Sequence, residues 1–208
     1  MIIAVDGPAA SGKGTIARAL ARHYKLPHLD TGLLYRAVGR TVLDRRGDPA
    51  DEAQALAACD FSDELLADPR LKQSEAGNAA SIVSAHPAVR AALIERQKLF
   101  ANQPGGAVLD GRDIGTVIAP DANAKLFVRA TPPIRARRRH EELARAGSTI
   151  SYDKVLADIR ERDRRDSSRA TAPLRQAEDA ILLDTSYLSI DSAIAHAIEL
   201  VERRLSER

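Results

Sequence analysis

The sequence predicts an α/β fold built on a parallel, helix-covered sheet, and three observations predict it. Five short apolar runs are spread along 208 residues. Segments with a helical pattern separate them, and a glycine-rich turn directly follows the first run. Strands alternating with helices imply parallel pairing through right-handed crossovers. A chain of this length suffices for one domain, burying roughly 70% of the surface its unfolded form exposes.

Taken in order, "IIAVD" (2–6) reads as a buried strand. The loop "GPAASGKGT" (7–15) leads into a helix from about Lys13 to Tyr24. "LPHLDTG" is a second short strand and turn, followed by a helix from about Leu33 to Arg45. Residues 47–77 are acidic, contain Pro49 and Pro69 and lack period-2 alternation, which predicts short helices and loops. Residues 78–102 are helical, with proline punctuation at Pro87, and end at "QPGG". "AVLDG" (107–111) and "AKLFVRA" (124–130) are the third and fourth strands. Helices are expected over 132–146 and 151–165, with Gly147 between them. "AILLDTS" (180–186) is the fifth strand, and a last helix starts near Ser189. No linker or repeat divides residues 1–208, so one domain with insertions is expected.

Composition narrows the function classes. Hydrophobic content of 44% and charged content of 29% describe an ordinary soluble protein. A net charge of +2 argues for neither nucleic acid nor membrane as partner. Arginine outnumbers lysine 25 to 6, which suits fork-like phosphate contacts and is equally explained by codon bias. Cys59 is the single cysteine, so no intrachain disulfide is available. The N-terminal apolar run stops at Asp6, too short for a signal peptide, and no run approaches a membrane span. A cytoplasmic monomer is expected.

The glycine-rich loop carries the first chemistry. Between a strand and a helix, such a turn aims backbone N–H groups and the positive end of the helix dipole at an anion. Lys13 then reaches the β- and γ-phosphates of a nucleoside triphosphate. A phosphate-binding loop usually carries Ser or Thr where this one has Gly14; the hydroxyl comes one residue later, as Thr15. That variant works if the cation is held largely by water and phosphate oxygens, as magnesium often is. In "DGRDIGT", Gly111 and Gly115 bracket Arg112 and Asp113 where open α/β sheets bind ligands. Arg112 suits a phosphate and Asp113 an exocyclic amine, although an Arg–Asp pair stabilising a turn reads equally simply. Asp30, before "TG", orders the turn. Considered alone, Arg36, Ser81 and Arg90 are ordinary helix residues.

Residues 129–175 hold 13 Lys+Arg and 7 Asp+Glu, a net +6 that leaves −4 for the rest. This basic hairpin suits an RNA surface, a solvated face or a lid over polyphosphate. Tyr152 is the only Tyr, Phe or Trp in 132–175, which weakens the single-stranded RNA reading. His23, His28, His86, His140 and His196 show no metal-ligand spacing.

"GPAASGKGT" resembles the loop of the nucleoside monophosphate kinases. With "LDTGLLYR" (29–36), "NAASIVSAHPAVRAAL" (78–93), "DGRDIGTVIAPDA" (110–122) and "RERDRRDSSRATAPL" (160–174), the chain resembles the bacterial cytidylate kinases from residue 2 to about 192. The resemblance implies a five-stranded parallel sheet in the order 2-3-1-4-5. It implies transfer of the γ-phosphoryl group of ATP, with Mg2+, to CMP or dCMP. By resemblance, Gly7, Ala10, Ser11, Gly12, Lys13, Gly14 and Thr15 bind ATP, and Thr15 serves the metal. Thr31, Arg36, Ser81, Arg90, Arg112, Asp113, Arg162 and Asp166 bind the acceptor. Lys13, Arg112, Arg138 and Arg169 stabilise the moving phosphoryl group. The core is then 1–36, 103–131 and 176–208, with an acceptor-binding insertion at 37–102 and a lid at 132–175. Many family members carry a small antiparallel sheet in that insertion; here 41 residues separate Arg36 from Asn78 without strand-like alternation, so a reduced cap is expected. The serine pair Ser167–Ser168 argues against the helix that bears Arg162 continuing to Arg169. Two other readings stay open: a P-loop kinase with another small acceptor, and a non-catalytic ATP-binding module that contacts RNA.

Lys13→Met should lower kcat at saturating ATP by on the order of 10²–10³ and leave stability little changed. Retention of kcat within about threefold would remove the loop from the chemistry.

Overall fold

The computed structural model describes residues 1–207, so the last residue of the expected domain, Arg208, lies outside the described residues. Five strands form one parallel sheet in the order β2-β3-β1-β4-β5. They are β1 (Ile2–Asp6), β2 (His28–Asp30), β3 (Ala107–Gly111), β4 (Ala124–Arg129) and β5 (Ile181–Asp184). The period-2 pleat sorts β1 between two cores. Ile3 and Val5 pack against α1 (Lys13–Tyr24) and α8 (Ile190–Ser206). Ala4, with Leu109 of β3, faces the opposite layer, where Ala101 and one turn of π-helix (Ile114–Ile118) cover the sheet. A buried strand with apolar residues on both faces explains why "IIAV" shows no polar alternation.

The segment between β2 and β3 is built of helices and turns. It comprises α2 (Thr31–Asp44), α3 (Glu52–Ala57), two 3₁₀ turns (Asp63–Ala67 and Pro69–Lys72), α4 (Ser74–Val83) and α5 (Pro87–Ala101). Its own core gathers Leu34, Val38, Val42, Val83, Val89 and Leu93. Among the described residues, 37–102 contain no strand, matching the reduced cap. Pro87 opens α5 at its first turn, where a missing N–H costs nothing, so 78–102 is two helices and the first begins earlier, at Ser74. Asp30 caps α2 through Gly32 N–H at 3.0 Å, which starts that helix two residues before the expected Leu33.

Two further helices, α6 (Pro132–Arg145) and α7 (Tyr152–Ser168), pair as a hairpin with a small core of Ala136, Val155 and Ile159. Here the sequence expectation needs correction. The last helix of the hairpin does not stop at residue 165 but runs through Ser167 and Ser168, and Arg169 is its C-cap. Ionic contacts of Asp166 and Arg169, described below, outweigh the weak propensity of two serines. Among the described residues, no helix is long and apolar enough to cross a membrane.

Helices α2 and α4 pack with almost no gap. A Cβ on Gly39 would stand 2.7 Å from Ala79 Cβ and 3.0 Å from two backbone atoms of α4. Gly39→Ala would gain about 1 kcal/mol of helix propensity, but backbone atoms cannot step aside, and overpacking costs about 1–3 kcal/mol. A net loss of about 0–2 kcal/mol in urea unfolding is expected, and a gain would show that the helices separate freely.

Candidate active site

The P-loop connects the carboxyl end of β1 to α1, and steric limits dictate its glycines. A Cβ on Gly7 would stand 2.0 Å from the Val128 carbonyl oxygen, so only glycine passes that point. Gly12, the N-cap of α1, is left-handed at φ 93°, and Ala10 is also left-handed, at φ 58°. The loop is pinned from outside. Arg135 on α6, 3% exposed, donates to Ala9 O at 3.2 Å and pairs with Asp163 of α7. Thr185 Oγ1 donates to Ser11 O at 2.8 Å.

A cleft of about 640 Å³ opens in front of this loop, at the carboxyl ends of β1, β2 and β3. Ala10, Gly12, Lys13, Gly14 and Thr15 of the P-loop line it, together with Thr31, Arg36, Arg112 and Asp113. Arg90, Arg162 and Arg169 close the far end. Arg36 reaches across α2 to Leu71 O at 2.6 Å, its guanidinium lying against Gly77, where a Cβ would approach to 3.2 Å.

Charge is the dominant property of this cleft. Asp166, buried to 0% exposure, faces three guanidinium groups. Arg112 Nε donates to it at 2.8 Å, Arg169 Nη2 bonds its other oxygen, and Arg162 lies 4.0 Å away. Burial alone would raise its carboxyl, but Arg112, Arg169 and Arg162 hold it down at about 2. Arg162 is pushed down to about 9 by burial and by Arg112, with Asp166 opposing. Half-buried Lys13 is pushed down to about 8 by burial and Arg112, against Asp110 and Asp30. Cleft cations that outnumber the carboxylates beside them suit a polyanionic ligand.

Base-reading candidates form a second buried pair. Arg90, 3% exposed, bonds Asp113, 4% exposed, and its guanidinium stands 5.7 Å from the Tyr35 ring centroid. Arg112 and Asp113 therefore do not pair with each other; each has a partner on another element. The Ser84 hydroxyl, lining the cleft, accepts from Arg169 at 2.9 Å.

Five expected residues are placed differently. Asp166 is fully buried behind the cleft, with both oxygens taken by Arg112 and Arg169. Gly7 is buried under the loop, and Ser81 lies beside the cleft with a buried, unpartnered hydroxyl. Ser11 and Arg138 lie on the other flank of the P-loop, lining a second cavity of about 520 Å³ with Thr185, Leu188, Ile190 and Ala193. Arg138 donates to Thr185 O at 2.6 Å and to Ser11 O at 3.5 Å, so it is not brought to the Arg112–Arg169 cluster. Its neighbour Arg139 lines the main cleft instead, because buried Arg135 and Ala136 set the phase of α6. Asp110, the next-to-last residue of β3, is a cleft residue that the sequence analysis did not single out. Its position at the carboxyl end of a strand was the available signal. Asp110 is 2% exposed and 2.8 Å from His28 Nε2.

The donors around the P-loop fit Mg2+. Thr15 and Asp110 both line the cleft, and a Cβ on Gly14 would stand 3.6 Å from an Asp110 carboxylate oxygen, so glycine leaves a cradle there. Among the described residues, no group of three or more His, Cys, Asp or Glu could hold a metal by itself. The donor set thus suits a cation coordinated largely by phosphate and water.

Sheet order, the loop at the end of the central strand and the cation-lined cleft define a phosphotransferase of the P-loop kinase fold. A gluconokinase from Sinorhizobium meliloti 1021 shares this fold at TM-score 0.55 and 16% identity, covering 99% of this chain and 93% of that one. A family model described as cytidylate kinase matches residues 3–203. The sequence is 60% identical to a cytidylate kinase of Xanthobacter autotrophicus over 100% of both chains. It is 58% identical to one from Methylobacterium sp. (strain 4-46) over 98% of each. The chain belongs to the cytidylate kinase family.

Asp166 yields a pH prediction. Its carboxyl is lowered from 3.8 to about 2 in the fold, so the ionised form favours the native state. That contribution is complete above pH 4 and disappears as pH falls through 2, and its size is about 2 kcal/mol. Asp166→Asn should cost about 3–5 kcal/mol at neutral pH, because three guanidinium groups lose their counter-ion. Urea unfolding from pH 5 to 2 should show this acid-labile component in the wild type and not in the variant.

Proposed function

We infer that this chain transfers the γ-phosphoryl group of ATP to CMP or dCMP, giving ADP and CDP or dCDP. The supporting observation is the layout of one cleft, with the P-loop at one end and the buried Arg90–Asp113 pair at the other. Donor phosphates would lie on the N–H groups of Gly12, Lys13, Gly14 and Thr15, with the ammonium of Lys13 against the β- and γ-phosphates. The second cavity would take the donor nucleoside, and from there Ser11 and Arg138 would serve the donor. Arg36 and Arg112 would grip the acceptor phosphate, and Thr31 and Arg162 its sugar, with Asp166 holding Arg112 and Arg169 from behind. Asp113 would accept from the cytosine amine while Arg90 donates to O2 and N3, with Ser81 behind them.

The acceptor phosphate is already an oxyanion, so no strong base is required. Catalysis is positioning in line with the donor and neutralisation of charge by Lys13, Arg112 and Arg169. Bound Mg2+, held by Thr15 and Asp110 together with the phosphates, would neutralise charge between the β- and γ-phosphates. The hairpin α6–α7 would act as a lid, keeping water from the donor. We propose the division read from the sequence: a core of 1–36, 103–131 and 176–208, an acceptor insertion of 37–102 and a lid of 132–175. We place the enzyme in the cytoplasm as a monomer acting on small molecules, without nucleic acid or membrane partners.

Initial rates of ADP release with CMP, dCMP, UMP and AMP test this reading. CMP and dCMP should lead, and UMP should be poorer because O4 would face the acceptor Asp113. Arg90→Met should raise KM for CMP by about tenfold or more, move KM for ATP far less, and narrow the CMP:UMP ratio. A wild type that prefers AMP, or an Arg90→Met variant that lowers every acceptor equally, overturns the cytosine assignment.

A further inference from the structure

Asp6 ends β1, directly before the P-loop, and no step above uses it. Its side chain is 5% exposed, and both carboxylate oxygens serve one neighbouring loop. Oδ1 accepts the backbone N–H of Ile114 at 2.9 Å, and Oδ2 accepts that of Gly115 at 2.8 Å. These two amides directly follow Arg112 and Asp113, the residues that face the cleft. Burial raises the Asp6 carboxyl to about 7 in spite of the two N–H bonds, so the fold keeps an acid where its charge is disfavoured.

The P-loop, by contrast, does not depend on this carboxylate. Ala9 O is held by Arg135 at 3.2 Å, Ser11 O by Thr185 at 2.8 Å, and Gly7 N by Gly111 O at 3.3 Å. Loss of the Asp6 carboxylate would therefore release the acceptor loop and leave the donor loop anchored.

We propose that Asp6 is a positioning residue for the acceptor: it holds the Ile114 and Gly115 amides and so aims Arg112 and Asp113 into the cleft. It touches neither substrate and acts through those two residues. The inference rests on the reading that Arg112 and Asp113 bind the acceptor. Aspartate suits the task because a carboxylate accepts at both oxygens, whereas asparagine accepts at one and turns an NH2 group toward the other N–H. One buried amide is then left without a partner.

Two variants approach the contact from opposite sides. Asp6→Asn removes one acceptor. Gly115→Ala adds a Cβ 3.1 Å from Lys125 Cδ and 3.4 Å from Asp6 Oδ2, which crowds the contact without altering the acid. KM for CMP and ATP, the Kd of CMP by calorimetry and the melting temperature are measured for both. Asp6→Asn should raise KM and Kd for CMP by about tenfold and keep KM for ATP within about twofold. Gly115→Ala should shift the same two constants in the same direction by about threefold. A fall in melting temperature with CMP constants unchanged, or an equal rise for both nucleotides, overturns the proposal. Should Asp6→Asn fail to fold, Gly115→Ala decides alone, and unchanged CMP binding in it is likewise fatal. Arg90→Met, which would contact the acceptor directly, separates the two levels. If it leaves CMP binding intact, the acceptor reading fails and the Asp6 role with it. If it weakens CMP while neither Asp6→Asn nor Gly115→Ala does, only the Asp6 role fails.

Discussion

One buried carboxylate organises the cation-lined cleft. Asp166 sits in the last turn of α7 and bonds Arg112 from the end of β3 and Arg169 from the helix C-cap, with Arg162 one turn before it. Like charges at these distances repel by several kcal/mol in a medium of intermediate dielectric. A single anion among them makes the arrangement tolerable and fixes each guanidinium in direction. Desolvation consumes much of the attraction, so the cluster contributes more to geometry than to stability. It also ties the hairpin α6–α7 to the sheet: the same contact that orients Arg112 holds the end of α7 near the carboxyl end of β3.

The acceptor half is shaped by small residues rather than by charge. Gly39 meets Ala79 at a distance no side chain could share, and this close approach of α2 and α4 brings Gly77 against the Arg36 guanidinium. Arg36 is then held by Leu71 O and Gln73 O, at 2.6 and 3.3 Å, instead of extending into solvent as an isolated helix residue would. Packing between α2 and α4 thus sets the direction of a cleft-lining cation, and backbone carbonyls complete its support.

Much of this was legible in the sequence, for local reasons. Apolar runs marked all five strands within two residues, and a strand followed by "GPAASGKGT" placed the phosphate loop. Features set by distant partners were not legible. Arg112 and Asp166 are 54 residues apart and Arg90 and Asp113 are 23 apart, and no periodicity links such positions. For the same reason α7 continues past Ser167 and Ser168 against their propensity: the ion pairs that end it come from elsewhere in the fold. In the run Arg137–Arg138–Arg139, sequence alone could not say which residue meets the cleft, because the phase of α6 is fixed by burial of Arg135. The sheet order came from family resemblance, since strand alternation alone permits other orders.

The same electrostatics connects binding to closure. Burial and neighbouring guanidinium groups push Lys13 to about 8 and Arg162 to about 9, so the cleft resists its own charge. A polyphosphate reverses the sign of that term: its negative charge favours the charged forms of Lys13, Arg112 and Arg162 together. The gain increases as water leaves, because screening falls and each pair strengthens. Lys13 belongs to the P-loop and Arg162 to α7, so in the proposed reaction an anion between them would draw the hairpin toward the loop. Any ligand that binds this closed arrangement more tightly than an open one shifts the population toward it. In the proposed reaction, the donor phosphates therefore help to assemble the site that shields them from water.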